Sequence, residues 1–430
     1  MERISHYVVV GCYALALLYA ALAGLRTVSD FDIGWQMAAG RYLAETGRIP
    51  YADTFSYTAR GREFIYPPFS GLLFWGLYRL GGFSALSWFG AAACAGTLAL
   101  LLRGATPVGA ALAIVAVPAI ALRSTPRADL FSTVLFAAFF GLLWRYHRGC
   151  RTRLWPLPLL MLGWVNLHVG FVAGLMAVGA YVLLEALELP FAARRAAARA
   201  RLRRAAPWLA ASVAVTLVNP WGPRIYLALV RQERILASLA DFVGYWQRTR
   251  LSAASLAQAL SWRTPESGYW WLLAAALVAV AACLWGKQFG AALLLAAAAF
   301  FSLRYFRFQG YFAILAVVMA QGLGIGRIGT ESAEDRVRSA VALALPLRLC
   351  GCLLLAAATL ALVSVRVSDL VSNRYYFSSG HSSVFGPGAS WWYPERAAAF
   401  LLRERLPRQL FNDYNLGGYL VWRLSPGGTR

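Results

Sequence analysis

The amino-acid sequence predicts an all-α polytopic membrane protein with about 11 transmembrane helices. Composition is the first reason: the 430 residues are 60% hydrophobic and only 14% charged, with a mean hydropathy of +0.56, whereas soluble domains are about 25% charged. Apolar runs of about 15 to 20 residues recur along the chain, each long enough for a hydrocarbon core of about 30 Å. Because lipid offers the backbone no hydrogen-bond partners, these runs should be helices.

The apolar runs give the order of the predicted spans. They cover 7–25, 84–102, 106–122, 129–144, 154–168, 170–189, 206–219, 269–285, 288–303, 308–324 and 346–365. The segment 68–82 is apolar but short, so we expect it to be a half-span or to lie in the membrane interface.

Two short arginine-rich loops, 145–153 and 194–204, set the predicted orientation. Such loops stay in the cytoplasm. This places the N-terminus in the cytoplasm and the C-terminus outside the cytoplasmic membrane. The predicted parts are a transmembrane core, 1–366, and a small external C-terminal segment of mixed structure, 367–430. Two long external loops, 26–67 and 222–268, lie within the core.

The formal net charge of +22 is carried almost wholly by Arg. No nucleic-acid-binding motif accompanies this charge, so we expect no nucleic-acid partner. We interpret the charge as a determinant of topology and a contact to anionic lipid headgroups. The six Cys fall mostly inside or beside apolar spans, where Cys acts as a small packing residue.

Four segments outside the spans have recognisable local patterns. Residues 33–46 predict an amphipathic surface helix with Gly47 as its C-terminal cap. Leu and Ile at helical spacing predict a second surface helix within 225–240. In the C-terminal segment, 394–406 is typical of a helix, and we interpret 412–420 as a turn that enters a strand.

Two carboxylates follow the first span directly, in Asp30-Phe31-Asp32. An acid partly removed from water can have a raised pKa and serve as a general base. A pair of acids can also hold a divalent metal ion through oxygen ligands. The structural alternative is that Asp30 caps the helix 33–46 and Asp32 lies in its first turn.

Further polar residues lie at span ends on the side predicted to be external. Asp129 is either a second site acid, able to share a metal ion with Asp32, or an ordinary acid at a helix N-terminus. Arg304 and Arg307 suit a phosphate, because the guanidinium fork matches it; snorkelling to headgroups is the alternative. His168 interrupts apolar sequence, and it could line a cavity, ligate a metal or bond between helices.

The order of these residues resembles the polytopic C-type (GT-C) glycosyltransferases, in particular the bacterial relatives of protein O-mannosyltransferases and of the lipid A aminoarabinose transferase. Members have an Asp-Glu pair after the first span, a surface helix ending near Ala-Arg, and a Lys-Pro-Pro-Leu motif. Here Asp32 is followed by Gly40-Arg41, and Tyr66-Pro67-Pro68-Phe69 stands at the second motif. Ile33 replaces the second acid and Tyr66 replaces the Lys, as in a divergent subgroup.

The resemblance implies an integral membrane glycosyltransferase that moves a sugar from a polyprenyl-phosphate donor to a glycan, lipid or protein acceptor at the outer face of the membrane. Asp32 would deprotonate or orient the acceptor hydroxyl, with Asp30 beside it. A divalent metal ion is an open cofactor, with Asp32 and Asp129 as its candidate ligands. The candidate substrate contacts are Arg304, Arg307, Asp129, Tyr66, Trp35 and His168, with Trp221 as a further sugar-stacking residue.

Two other functions remain open on the same residues. One is a non-catalytic protein of this fold or a component of polysaccharide or lipid-carrier transport, although few charged residues within the spans argue against ion coupling. The other is a scaffold with a carbohydrate-binding tail. If the enzyme interpretation holds, we expect Asp32, Asp129 and the pair Arg304 and Arg307 to converge on one outward-facing cavity that opens to lipid.

Overall fold

The chain folds as an array of helices, as its composition predicts. The computed structural model describes residues 2–56, 59–103, 107–238, 249, 252–320, 334–374, 383–406 and 410–425, and no strand forms within these ranges. The helices are α1 Glu2–Gly24, α2 Ile33–Thr46, α3 Phe69–Leu101, α4 Pro107–Ala121, α5 Asp129–His147, α6 Pro156–Leu167, α7 Val172–Ala186, α8 Ala192–Ala214, α9 Arg224–Ser238, α10 Ala253–Leu260, α11 Ser267–Trp285, α12 Phe289–Arg304, α13 Gln309–Ala320, α14 Glu334–Val371, α15 Glu395–Arg403 and α16 Tyr414–Leu424.

Several of these helices have the length and composition of membrane spans. The described residues contain four that are long and apolar enough to cross a bilayer: Phe69–Leu101, Asp129–His147, Val169–Ala186 and Ser267–Trp285. Shorter apolar helices accompany them: Val10–Gly24, Gly109–Ala121, Pro156–Leu167, Phe289–Arg304 and Phe306–Ala320. The all-α class is therefore confirmed and the apolar helices are those expected of a membrane protein, while the number of eleven spans stays a prediction.

A kink joins the short apolar segment 68–82 to the predicted span 84–102. Both lie in α3, which is interrupted at Gly81 and Gly82. Gly82 has φ 60° and ψ −151°, a conformation open to glycine and strained for other residues. The predicted half-span is thus the first arm of a kinked helix.

The two arginine-rich segments meet at one end of the helix array. The second, 194–204, forms part of α8 instead of the predicted loop. Glu185 at the end of α7 is fully buried and accepts two hydrogen bonds from Arg201 of α8, at 2.8 and 2.7 Å. His147, the last residue of α5, lies 2.9 Å from the same carboxylate. Because Asp129 opens α5 and His147 closes it, this cluster lies at the opposite end of α5 from Asp129.

The helices predicted in the first loop and in the C-terminal segment form, but α2 is not a surface helix, because most of its residues from Ile33 to Arg41 are buried and the helix packs against α3 and α16. The helix α2 has the predicted bounds, and Gly47 caps it in the left-handed conformation at φ 67°. The helix α15 lies within the predicted range 394–406. The segment α9 is also helical, over Arg224–Ser238.

The predicted strand after residue 412 is wrong, because residues 414–424 form the helix α16. Asp413 is its N-cap, and its side chain accepts a hydrogen bond from the backbone N–H of Asn415 at 2.8 Å. Leu420 and Leu424, four residues apart, share one face and pack with Ala398 of α15. Tertiary packing of this face outweighs the low helix propensity of the two glycines in the segment.

The C-terminal segment is packed onto the helical core. The helix α14 runs without a break through the predicted boundary between residues 366 and 367. Further on, Glu395 of α15 accepts hydrogen bonds from Tyr419 and Arg423 of α16, the latter at 2.8 and 2.5 Å. These bonds join α15 to α16, and α16 in turn packs against α2.

Candidate functional site

The two acids after the first helix have different surroundings. Asp32 is the N-cap residue of α2, but its side chain makes no capping bond and is 49% exposed. One of its oxygens accepts a hydrogen bond from Trp35 Nε1 at 3.0 Å. The side chain of Asp30 is 8% exposed, and its Oδ1 accepts from the backbone N–H of Asp32 at 2.9 Å. The structural alternative for this pair is therefore wrong in detail, since Asp30 orders the turn before the helix and Asp32 faces water.

Arg127 joins three acids from two distant parts of the chain. Its Nη1 lies 3.3 Å from Asp30 and 3.9 Å from Asp32, and its Nη2 lies 3.2 Å from Asp129. Asp129 is also paired with Arg123 at 2.6 Å, and both of these side chains are buried. We call these five residues, two arginines and three acids, the charge cluster. Buried charges need close partners of the opposite sign, and the cluster provides them.

Burial raises the pKa of one acid of this cluster, Asp30. Loss of water raises the pKa of Asp30 from 3.8 to about 6; the charge of Arg127 opposes this rise, and the charge of Asp32 adds to it. The neighbouring acids and burial also raise the pKa of the Tyr66 hydroxyl well above its ordinary value. Asp30 is thus an acid that changes charge near neutral pH, directly beside the exposed carboxylate of Asp32.

Trp35 and Tyr66 lie together beside the charge cluster, where Trp35 bonds Asp32. Their rings meet edge to face, with centroids 4.7 Å apart. Gln36 connects them to the next loop, because its Nε2 donates to the Tyr66 hydroxyl at 3.3 Å and its Oε1 accepts from the N–H of Ala128 at 3.1 Å. The amide of Gln36 therefore fixes the first loop against the loop that carries Arg127.

The two arginines of the predicted phosphate site lie in different surroundings. Arg123 Nη2 donates to the backbone carbonyl of Arg307 at 2.6 Å, which brings residue 307 to the charge cluster. The guanidinium of Arg307 is close enough to Asp129 for their charges to interact. Arg304 lies over the ring of Tyr305, 4.7 Å from its centroid. Among the described contacts, none joins Arg304 to the acids.

His168 takes part in a buried hydrogen-bond network. Its Nδ1 lies 2.7 Å from Ser132 Oγ and accepts from the N–H of Gly170 at 3.1 Å. Trp164 Nε1 donates to the same Ser132 oxygen at 2.7 Å. Since Ser132 lies on α5 and Trp164 on α6, these contacts correspond to the helix–helix hydrogen bond among the alternatives predicted for His168.

A divalent metal ion does not fit the acids as they are arranged. Within the described ranges, no group of three His, Cys, Asp or Glu side chains could hold one. The guanidinium of Arg127 lies between the two candidate ligands, at 3.9 Å from Asp32 and 3.2 Å from Asp129. A cation already occupies the position that a metal ion shared by these carboxylates would take.

The C-terminal segment holds the loop that carries Asp30 and Asp32. The N–H groups of Thr27 and Val28 donate to the carbonyls of Val384 and Gly388 at 2.9 and 2.8 Å. Tyr393 donates its hydroxyl hydrogen to the backbone carbonyl of Asp30 at 2.8 Å. The acid loop is therefore fixed from both sides, by Arg127 through side chains and by residues 384–393 through the backbone.

The helix α16 crosses the start of α2 in backbone contact. A Cβ added to Gly418 would fall far inside the contact distance of the Phe31 carbonyl oxygen, and one added to Gly34 would lie 2.8 Å from the Tyr419 nitrogen. Arg41, further along α2, is buried and donates to the carbonyl of Trp422 at 3.1 Å. Only glycine at 34 and 418 allows this approach.

Sequence reasoning missed Arg127, Gln36 and the contacts of the C-terminal segment. Arg127 had one available signal: it stands two residues before Asp129 at a span end, where arginine is costly without an acidic partner. The predicted outward-facing cavity at the acids stays a prediction. A cavity of about 450 Å³ lies elsewhere and is lined by Tyr51 and Trp221.

Comparison of the chain with models of protein families and with curated proteins gives no match.

Proposed function

We propose that this protein is an integral membrane glycosyltransferase that transfers a sugar from a polyprenyl-phosphate donor to a hydroxyl acceptor. The observation that carries the proposal is the charge cluster, in which Arg127 brings the exposed Asp32 within 3.9 Å of a guanidinium group. A carboxylate that faces water can take a proton from a hydroxyl group. The fixed positive charge beside it can stabilise the negative charge of a phosphate.

In this proposal Asp32 is the catalytic base. It accepts the proton of the acceptor hydroxyl, whose oxygen attacks the anomeric carbon of the donor sugar. The bond from that carbon to the phosphate oxygen breaks, and the polyprenyl phosphate leaves with the electron pair, so the anomeric configuration inverts. The hydrogen bond from Trp35 Nε1 at 3.0 Å holds one Asp32 oxygen and leaves the other for the acceptor.

The arginines would neutralise the charge that develops on the leaving phosphate. Arg307 lies beside the charge cluster through its contact with Arg123. A guanidinium presents several N–H donors in one plane, which suits phosphate oxygens. Arg127 is held by Asp30 and Asp129 at 3.3 and 3.2 Å, so its position is set before any substrate binds. Fixed charges of this kind stabilise a transition state without reorganisation.

A lipid-linked donor accounts for a reactive site at the ends of apolar helices. Asp30 and Asp32 follow α1 and Asp129 opens α5, and both helices are apolar. We propose that this end faces the outside of the cytoplasmic membrane, with the N-terminus inside, the C-terminus outside and eleven spans. The isoprenoid chain would then stay in the bilayer while its phosphosugar reaches Asp32.

The test is sugar transfer by the purified protein in lipid nanodiscs. The donors are polyprenyl phosphates that carry radiolabelled hexoses or pentoses, and the acceptors are membrane glycolipids. We expect Asp32→Asn to lower the rate of transfer by about 10² to 10⁴, the range for loss of a general base.

Asp53→Asn is the matched control in the same loop. Asp53 accepts hydrogen bonds from the N–H groups of Phe55 and Ser56, both at 2.8 Å, and an Asn oxygen can accept both. This variant should transfer sugar at the wild-type rate. Equal turnover by Asp32→Asn and Asp53→Asn would remove Asp32 as the base. No transfer by the wild-type protein with any of these donors would refute the proposed function and favour a non-catalytic or transport role.

A further inference from the structure

A cavity of about 450 Å³ lies away from the charge cluster, between the first loop and the turn before α9. The first loop contributes Tyr51 and Glu63, which are brought together by a short hairpin: the N–H of Phe64 donates to the carbonyl of Tyr51 at 2.9 Å. The turn contributes Trp221 and Arg224. The volume lies within the range of small-molecule sites, about 300 to 1,000 Å³.

Two aromatic rings form the apolar wall of this cavity. The rings of Tyr51 and Trp221 are in edge-to-face contact, with centroids 6.1 Å apart at an angle of 70°, and both residues line the cavity. Tyr51 is 54% exposed, which leaves its ring accessible from water. Aromatic faces are suited to the C–H surface of a sugar ring, because both are flat and only weakly polar.

Trp221 forms the more deeply buried part of this wall. Its side chain is 6% exposed, whereas that of Tyr51 is 54% exposed. Tyr51 is therefore the ring that a ligand entering from water would contact over the larger area.

The polar rim of the cavity provides both donors and acceptors. Glu63 is paired with Arg224 at 3.3 Å and with Arg231 at 2.9 Å. A carboxylate has about four acceptor sites and a guanidinium has five N–H donors, so each can bond a ligand while paired. Sugar hydroxyl groups both donate and accept, so they match a rim that presents a carboxylate beside guanidinium groups.

From these contacts we infer that the cavity binds one ring of a neutral sugar, and that this sugar belongs to the acceptor. The assignment to the acceptor rests on the proposed glycosyltransferase function; the sugar binding does not. The hairpin connects the cavity to the candidate base: Phe64, next to Glu63, packs edge to face on Trp35 at 6.0 Å, and Trp35 holds Asp32. An acceptor held in this cavity would reach Asp32 along that wall.

The experiment measures binding of neutral sugars to the full chain in nanodiscs by saturation-transfer NMR. The probes are the methyl glycosides of glucose, galactose, mannose and N-acetylglucosamine. We expect Tyr51→Ala to weaken the best binder by about tenfold, the effect of one aromatic contact, and Tyr51→Phe to retain it. Trp391→Ala removes another aromatic side chain, 72% exposed and outside the cavity lining, and should bind as the wild type does.

Two results overturn the inference: no glycoside binds to the wild-type protein, or Tyr51→Ala and Trp391→Ala bind equally well. Asp32→Asn separates this inference from the proposed function. If the sugar site is correct, this variant binds the glycoside with wild-type affinity. If the wild-type protein binds the glycoside but transfers no sugar, the proposed function fails while the sugar site stands, and the bound sugar is not an acceptor.

Discussion

The contact between Gly418 and the acid loop gives the most specific prediction about the C-terminal segment. In Gly418→Ala, the new Cβ would meet the carbonyl oxygen of Phe31, which stands between the two acids. Ordinary Cβ contacts begin at 3.4 Å, and the added atom would lie more than about 1 Å too close. Both atoms belong to backbone-anchored groups, so α16 must shift away from the start of α2.

The neighbouring glycine is a matched control for the size of this effect. In Gly417→Ala the nearest atom is Asn412 Nδ2 at 3.3 Å, the end of a side chain that can move. Both substitutions gain about 1 kcal/mol of helix propensity. Only Gly418→Ala adds an overpacking cost of about 1–3 kcal/mol. The free energy of docking α16 should therefore differ between the two variants by about 1–3 kcal/mol.

Hydrogen exchange followed by mass spectrometry measures this difference directly. Peptides that cover residues 414–425 and 26–36 should exchange about tenfold to hundredfold faster in Gly418→Ala than in Gly417→Ala, since local opening reports the docking free energy. Equal protection in the two variants would refute the backbone contact between α16 and the acid loop. Slower transfer of sugar by Gly418→Ala should accompany the loss of protection.

Three further predictions concern the charge cluster and its support. Asp129→Asn removes the carboxylate charge that pairs with the buried Arg123 at 2.6 Å and should lower the free energy of unfolding by about 3–5 kcal/mol, seen as a lower thermal midpoint in detergent. The pKa of Asp30 is raised in the folded protein to about 6, so the stability that this group contributes is complete below pH 3.8 and is lost as the pH rises through about 6. Asp30→Asn should therefore remove the fall in the free energy of unfolding between about pH 4 and about pH 7. An unchanged dependence of that free energy on pH would contradict the burial of Asp30. Gly71→Ala places a Cβ against the backbone of α2 and should abolish hydrogen-exchange protection of the first loop, whereas Gly76→Ala in the same helix meets nothing within 4 Å and should leave it intact.

Local sequence signals predicted the helices whose boundaries are determined by residues close to them in sequence. Apolar periodicity and the terminal Gly47 determined α2, and the apolar length of 129–144 determined α5. The same reasoning placed Asp32 and Asp129 at one end of the helices, through the arginine-rich loops at the other end. These features depend on a few neighbouring residues, which is why they could be predicted.

The missed features depend on contacts between distant parts of the chain. The tail pairs with the acid loop across 357 residues, from Thr27 to Val384, and no local pattern carries that information. The helix α16 was predicted as a strand because its two glycines weaken the helical pattern. Glycine is needed at position 418 because the start of α2 lies in backbone contact with α16 there. Arg127 was one arginine among forty, distinguished only by the three acids that the fold brings to it.

The central claim is that arginines beside the acids bind the phosphate of a lipid carrier, and the two arginines flanking Tyr305 and Phe306 test it most directly. The measurement is the affinity of polyprenyl phosphate, without a sugar, for the protein in nanodiscs. Arg307→Gln keeps the backbone carbonyl that Arg123 bonds and should weaken binding by about tenfold or more. Arg304→Gln, whose guanidinium lies over Tyr305, should bind as the wild type does. Equal affinity in Arg307→Gln and wild type, or a loss confined to Arg304→Gln, would contradict the claim.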